Sequence, residues 1–168
     1  MTYIRIEHNH LPMHRYVEPK EKMIMTIGGH NDRKFVNIAL KNNFNLSYEP
    51  RNFKGQLKEI PRTMQYGRMM DSLRKKYKEY LWDGIFMDTE GVKVFNKNEQ
   101  YADYSVFVNP KNGIQAIVIV NNDFVSSVTI SLNTKKDYVQ VSPENLKENT
   151  FGGSISIGPL SAVVLIEK

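Results

Sequence analysis

From residue 90 to the C-terminus, apolar and polar residues alternate at a period of two, and turn-forming residues interrupt the pattern at short intervals. Val128, Ile130 and Leu132 take one side of such a run while Ser127, Thr129 and Ser131 take the other. Val139 and Val141 alternate with Tyr138, Gln140 and Ser142, and Ile155 and Ile157 alternate with Ser154 and Ser156. A period of two puts successive side chains on opposite faces of an extended strand, so each run is a strand with one apolar face. Residues 114–120 and 162–166 are nearly continuously apolar, as central strands are. Between the runs lie Asn112-Gly113, Asn121-Asn122-Asp123, Asn133-Thr134, Gly152-Gly153 and Gly158-Pro159, which supply turn chemistry. The pattern predicts seven strands, at 92–95, 103–109, 114–120, 126–132, 137–142, 153–157 and 160–167. Short antiparallel strands at this spacing fold as a sandwich or barrel. No histidine and no clustered pair of carboxylates sits among them.

The first 89 residues are built differently. All eight Met, all four His and the single Trp precede residue 90. So does the basic excess: residues 1–89 hold 16 Lys+Arg against 10 Asp+Glu, and residues 90–168 hold 7 against 8. The expected division is therefore 1–89 and 90–168. Solvated helix faces account for a +6 excess over 89 residues, and nucleic acid is not expected as a partner. A membrane is not expected either, because no apolar run approaches the roughly 20 residues a spanning helix needs. The absence of cysteine removes disulfide and thiolate chemistry. The first residues lack the apolar core and cleavage site of a secretory signal, which leaves two readings open. Either the chain stays in the cytoplasm or a signal lies on a longer polypeptide, so the compartment is undetermined.

Residues 23–27 read as a buried strand ended by Gly28-Gly29. Asn31 or Asp32 can cap a following helix that turns Phe35, Ile38, Ala39 and Asn42 inward and leaves Arg33, Lys34, Asn37 and Lys41 for solvent. Residues 44–48 form the next strand, stopped by Pro50. Strand, helix and strand in this space imply a parallel pair with a right-handed crossover. A longer helix starts near Pro61, with Tyr66, Met70, Leu73, Tyr77, Tyr80 and Leu81 as its apolar stripe and Arg68, Arg74, Lys75, Lys78 and Glu79 on other faces. Residues 3–6 suit a short additional strand. The fold class is thus α+β: a partial β/α barrel-like βαβα segment followed by an all-β antiparallel sandwich.

Among groups that carry chemistry, Glu49 stands out because it ends a parallel strand, where barrel enzymes place substrate-contacting side chains. Tyr48, Arg51, Asn52, Phe53 and Lys54 surround it with the mixture of flat rings and polar groups that sugars require. His30, after the preceding strand, falls on the same rim. The competing reading is that Glu49 pairs with Arg51 or Lys54 and only fixes the loop. Glycoside hydrolysis uses two carboxylates roughly 5–10 Å apart; Glu7 and Asp88 are the available second carboxylates, and nothing in the sequence places either beside Glu49. His8-Asn9-His10 with His14 lacks the spacing of a metal site, so no metal and no cofactor is expected. Met64, Met69 and Met70 read as adaptable core packing.

Residues 45–55, with Asn45-Leu-Ser-Tyr-Glu-Pro-Arg-Asn-Phe-Lys-Gly55, and residues 80–88 resemble the end of a glycoside-hydrolase-like family of large bacterial proteins. In that family a (β/α)8 catalytic barrel precedes a C-terminal β-sandwich. Residues 105–121 and 158–165 are similar to the sandwich that ends many barrel glycosidases, including the amylase type. The resemblance covers roughly residues 20–168. It implies that His30, Tyr48, Glu49, Arg51 and Asn52 lie at a carbohydrate-binding cleft. It assigns no catalytic residue to this chain, because the acid and nucleophile of such barrels come from strands that would lie upstream. The expected function is that of a C-terminal part of a carbohydrate-active enzyme, not catalytic alone. The alternative is a non-enzymatic carbohydrate-binding sandwich, with Tyr101, Tyr104, Phe107, Phe124 and Tyr138 as a stacking platform. Two parallel strands leave open edges and apolar faces. These must be covered by the sandwich, by residues 1–22, by the missing barrel portion, or by a second copy of the chain.

Overall fold

The computed structural model describes residues 3–4, 13–18 and 23–168. In chain order the elements are β1 (Tyr3–Ile4), α1 (Met13–Val17), β2 (Ile24–Ile27), α2 (Arg33–Lys41), β3 (Asn45–Tyr48), α3 (Pro61–Lys76), α4 (Lys78–Leu81), β4 (Ile85–Phe86), β5 (Val94–Asn96), β6 (Glu99–Gln100), β7 (Tyr104–Val108), β8 (Gln115–Asn121), β9 (Val128–Leu132), β10 (Tyr138–Val141), β11 (Asn149–Thr150), β12 (Ser154–Ile157) and β13 (Ser161–Glu167). A short 3-10 turn, Leu57–Glu59, leads into α3. The His8-Asn9-His10 string, Glu7 and residues 5–6 lie outside the described residues.

Three sheets result. β1, β2 and β3 form a parallel sheet in that order, so the expected pair is extended by the short strand at Tyr3–Ile4. The sandwich consists of a six-stranded sheet, β11-β10-β13-β8-β7-β4, facing a four-stranded sheet, β12-β9-β5-β6. Its pairings are antiparallel, and all seven expected strands are present within a few residues of their predicted ends. Ile85–Phe86, which precedes residue 90, adds the edge strand beside β7.

The apolar runs of β8 and β13 follow from where their sheet lies. Ile117, Ile119, Val163 and Leu165 point into the core shared with the four-stranded sheet, against Val94, Ile130 and Ile157. Their neighbours Ala116, Val118, Val120, Ala162, Val164 and Ile166 point the opposite way, into a second core with Val36, Ala39 and Leu40 of α2 and Met70 and Leu73 of α3. A strand buried on both faces is apolar along its interior, and only its ends, such as Asn121, carry polar groups. The same packing shows how the short parallel sheet buries one apolar face: α2, which covers it, is itself covered by β8 and β13 of the sandwich.

Two expectations are corrected by this arrangement. Asn37 was assigned to solvent but is fully buried, accepting a hydrogen bond from the Tyr66 hydroxyl (2.7 Å) and donating to the Ser161 carbonyl (3.4 Å). A helix wedged between two sheets has two inner faces, whereas a single amphipathic stripe supplies only one. Arg74 was likewise assigned to an outer face. It is 2% exposed, and its guanidinium donates to the carbonyls of Phe44 (2.7 Å) and Ala39 (3.0 Å) at the C-terminal end of α2. The Ala39 carbonyl also accepts the Phe44 amide (2.8 Å), and the arginine adds a charged donor where the helix end carries partial negative charge. Burial lowers its pKa to about 10, so it remains charged at neutral pH.

The segment after β10 fastens the layers from outside. Glu144 pairs with Arg33 at the start of α2, Lys76 donates to the Leu146 carbonyl (2.6 Å), and the Tyr77 hydroxyl donates to Glu148 (2.9 Å). Among the described residues no helix is long and apolar enough to cross a membrane.

Candidate functional site

The C-terminal ends of β2 and β3 lie side by side, because Ile27 is in register with Tyr48 and Thr26 with Ser47. Alternation sorts their side chains. Met25 and Ile27 enter the helix-side core, and Leu46 and Tyr48 pack against it. Thr26 and Ser47 therefore face the other side of the sheet, and Glu49 follows two residues after Ser47 on that same side.

Glu49 is buried, and one carboxylate oxygen, Oε1, accepts hydrogen bonds from the hydroxyls of Ser47 (2.7 Å) and Thr26 (3.2 Å). It is not the partner of Arg51: that guanidinium pairs with Glu59 through Nε and Oε2 at 2.8 Å. A buried carboxylate costs free energy unless its oxygens are satisfied, and two hydroxyls on one oxygen fix its orientation. Thr26 and Ser47 were not singled out from the sequence. The spacing of Ser47 and Glu49 two apart on a strand signals one shared face, but Thr26 joins them only through the strand register.

Two loops meet above this carboxylate. A Cβ on Gly28 would come within 2.6 Å of the Glu49 carbonyl oxygen, so the turn after β2 fits against the start of the loop after β3 only with glycine there. Asp32 begins α2, but its carboxylate reaches back to the amides of Gly28 (3.1 Å) and Gly29 and does not cap the helix by its side chain. Thr63 of α3 completes the tie, donating to the Gly29 carbonyl (2.7 Å) and accepting from the Asp32 amide (2.8 Å). His30, at the tip of this turn, is exposed.

The loop after β3 turns sharply. Arg51, Asn52 and Phe53 have φ of 50°, 52° and 68°, three successive non-glycine residues in left-handed conformation. Each such residue costs about 1–2 kcal/mol. The turn closes through Gly55 N–H to the Pro50 carbonyl (2.9 Å). Arg51 and Asn52 are exposed, and so is Phe53. Tyr48 takes a different direction: its ring lies against α3, where a Cβ on Gly67 would be 1.8 Å from the tyrosine oxygen. Burial pushes its pKa up to about 12, with the Asp71 charge adding to the rise and Arg74 opposing it. Of the five residues expected at a cleft, the strand ends gather Glu49 with the loops that carry His30, Arg51 and Asn52, while the Tyr48 ring sits on the helix side.

Asp88 belongs to the sandwich. It follows β4, has a φ of 51°, accepts a hydrogen bond from the Tyr16 hydroxyl, and lends its carbonyl to the Val106 amide. Among the described residues no group of three or more His, Asp or Glu is arranged to hold a metal ion. Of the five aromatics considered as a platform, Tyr104, Phe107 and Tyr138 are core residues, Tyr101 is half-buried with its hydroxyl on the Val120 carbonyl (2.7 Å), and Phe124 is exposed. They do not share one exposed face.

No family model matches the sequence, and no curated protein matches it significantly. Solved structures do share the fold. The α-amylase of Geobacillus thermoleovorans, determined in complex with acarbose, is similar over 88% of this chain with a TM-score of 0.52 at 12% identity. This chain spans 39% of that amylase. A looser likeness, with a TM-score of 0.41 and 12% identity over 83% of this chain and 31% of the other, is to a GH27 β-L-arabinopyranosidase from Geobacillus stearothermophilus in complex with arabinose. The likeness to the amylase is architectural: an α+β chain with a β-sandwich.

Proposed function

We propose that this chain is the C-terminal part of a carbohydrate-active, glycoside-hydrolase-like enzyme. In this reading residues 1–89 hold the closing end of a (β/α)8 barrel, with Ile85–Phe86 already in the sandwich sheet, and residues 90–168 make the rest of its accessory β-sandwich. Carbohydrate is the ligand, contacted at the strand-end rim by Glu49, His30, Asn52 and Arg51, with Tyr48 supporting that rim from the helix side. The catalytic carboxylates reside on the remainder of the barrel, so the chain alone does not turn over substrate.

The observation that carries the proposal is Glu49. It lies at the C-terminal end of a parallel strand, on the face away from the covering helices and oriented by Thr26 and Ser47, and this supports the reading because barrel enzymes meet their substrates at that end of their strands. Two features favour a missing barrel portion as partner. Among the described residues β3 pairs only with β2, and α3 carries a groove of about 500 Å³ lined by Leu57, Pro61, Met64 and Met69 with Lys58 and Arg68. A further β/α unit would complete the strand edge and cover that apolar lining. Sedimentation tests the competing occupant, a second copy of the chain.

The test is to incubate the isolated chain with aryl glycosides and soluble oligosaccharides. No turnover is expected, together with weak binding that Glu49→Gln reduces at least tenfold, about 1.4 kcal/mol. Robust turnover abolished by Glu49→Gln would show that the chain is catalytic by itself. Failure to bind any saccharide would remove the carbohydrate reading.

A further inference from the structure

We infer that Phe53 is an aromatic platform for the apolar face of a sugar ring, presented by a left-handed turn that Glu59 clamps from below. This rests on the carbohydrate reading of the Glu49 rim and assigns it a residue that neither the fold nor the buried carboxylate supplies.

Phe53 is 71% exposed, so its ring adds little to the core. Its φ of 68° is an outlier for a bulky side chain, and the two residues before it share the same strained conformation. Strain of this kind persists only where the surroundings enforce it, and it concentrates at ligand-contacting segments. Here the enforcement is visible. Glu59 receives the Arg51 guanidinium on Oε2 (2.8 Å) and the Gln56 amide on Oε1 (3.3 Å), so one side chain binds both ends of the turn. The Lys54 amide reaches the Arg51 carbonyl (3.2 Å) and the Gly55 amide the Pro50 carbonyl (2.9 Å). At Gly55 a Cβ would press on the Pro50 carbonyl oxygen (3.0 Å) and on the Glu59 carboxylate (3.1 Å), so a side chain there would push the clamp apart. Arg51 is thereby engaged as a positioning residue.

The chemistry of the surroundings selects the ligand. A pyranose or furanose has one apolar C–H face and a periphery of hydroxyls. The turn offers one flat ring flanked by the exposed polar residues Asn52 and Lys54, and it starts two residues after a carboxylate oriented by hydroxyls. A protein interface would instead favour a contiguous apolar patch, and the residues on either side of Phe53 are polar and exposed.

The experiment is saturation-transfer NMR on the full chain with maltopentaose, cellopentaose and arabinotriose as probes, combined with thermal melting. Phe53→Ala is expected to cut the transfer to sugar C–H protons at least fivefold, Phe53→Trp to retain it, and Phe124→Ala, which removes the exposed ring of the sandwich, to leave it unchanged. Phe53→Gly is expected to abolish transfer while raising the melting temperature by about 2–4 °C, because glycine adopts positive φ freely. Unchanged transfer in Phe53→Ala would overturn the platform and leave the carbohydrate reading intact; no transfer to the wild-type chain from any probe would end both. A lower melting temperature for Phe53→Gly would identify the ring as structural. A wild-type dimer that Phe53→Ala converts to monomer would identify its cover as a second copy, and either result overturns the proposal.

Discussion

Two phenylalanines are held out into solvent, one beside the parallel sheet and one on the sandwich, and they are held by opposite means. Phe124, in the turn between β8 and β9, is 66% exposed on a loop tied by the side chains of Asn121 and Asp123. The Asp123 carboxylate accepts the amides of Val125 and Ser126, each at 2.7 Å, and these bonds hold its pKa below the usual carboxylate range. The Asn121 side-chain amide reaches the carbonyls of Ser126 (2.8 Å), Gly158 (2.9 Å) and Ile157 (3.1 Å), its two protons shared among three acceptors. Phe53 instead stands on three left-handed residues closed by an exposed ion pair. The sandwich turn is where local preference and global fold agree, whereas the strand-end turn runs against local preference and needs an external clamp. Agreement across levels is the rule for scaffold, and departures from it mark sites.

The largest expected effect tests whether buried polar groups hold the helix layer as apolar packing holds the sandwich. Arg74→Met leaves the Phe44 and Ala39 carbonyls without their charged donor inside the protein. We expect a loss of about 3 kcal/mol, measured as a lower urea midpoint with unchanged slope. A loss under about 0.5 kcal/mol would mean that the methionine side chain packs as well as the arginine bonds, and that burying the charge contributes nothing net. Asn121→Ala asks the same of the sandwich. Removing one side chain that serves three carbonyls and accepts from the Asp123 amide (3.0 Å) is expected to cost about 2 kcal/mol. Its signature is faster hydrogen exchange at the Leu160 amide, which bonds to the Asp123 carbonyl (3.0 Å).

These two residues also show what could be read in advance. The sandwich was legible because its information is local: alternation sorts each strand's faces, and Asn, Asp and Gly mark each turn. The turn was recognisable from Asn121, Asn122 and Asp123, although the structure pairs Asn121 with Ser161 as the last residue of β8. The parallel strands and their helices were equally visible as elements. Asn37 is buried because α2 is covered from both sides, and Arg74 because α3 packs on the end of α2, tertiary facts with no trace in helical periodicity. At the strand ends, Glu49 was legible from its position after a strand, and Thr26 was not, since only the pairing of β2 with β3 brings it to the carboxylate. The left-handed turn carries almost no sequence mark. Asn52 tolerates positive φ, but Arg51 and Phe53 are residues for which that conformation is a poor first guess.

A smaller effect, spread over pH, reads the burial of one tyrosine at the strand end. Tyr48 has its pKa raised to about 12 by burial against α3. A phenol whose folded pKa exceeds its unfolded value stabilises the fold below the unfolded value, about 10, and loses that contribution as pH rises through the folded one. The melting temperature is therefore expected to decline between pH 10 and 12, and Tyr48→Phe to flatten part of that decline. An identical slope in Tyr48→Phe would place the alkaline sensitivity in other buried tyrosines.

The smallest effect gives the comparison its sign. Asn52→Gly relieves left-handed strain at a residue that tolerates it better than most, so a gain of only a few tenths of a kcal/mol is expected. Asp123→Gly removes the acceptor for two amides that organise the Phe124 turn, and a loss of about 1 kcal/mol is expected. The two loops thus answer replacement by glycine in opposite directions. One is improved by freedom because its conformation is imposed from outside through Glu59; the other is weakened because its order is internal. Equal losses at both positions, read from chemical denaturation under one buffer, would mean that the 51–53 turn is stabilised by its own side chains, and the argument from strain to function would lose its footing.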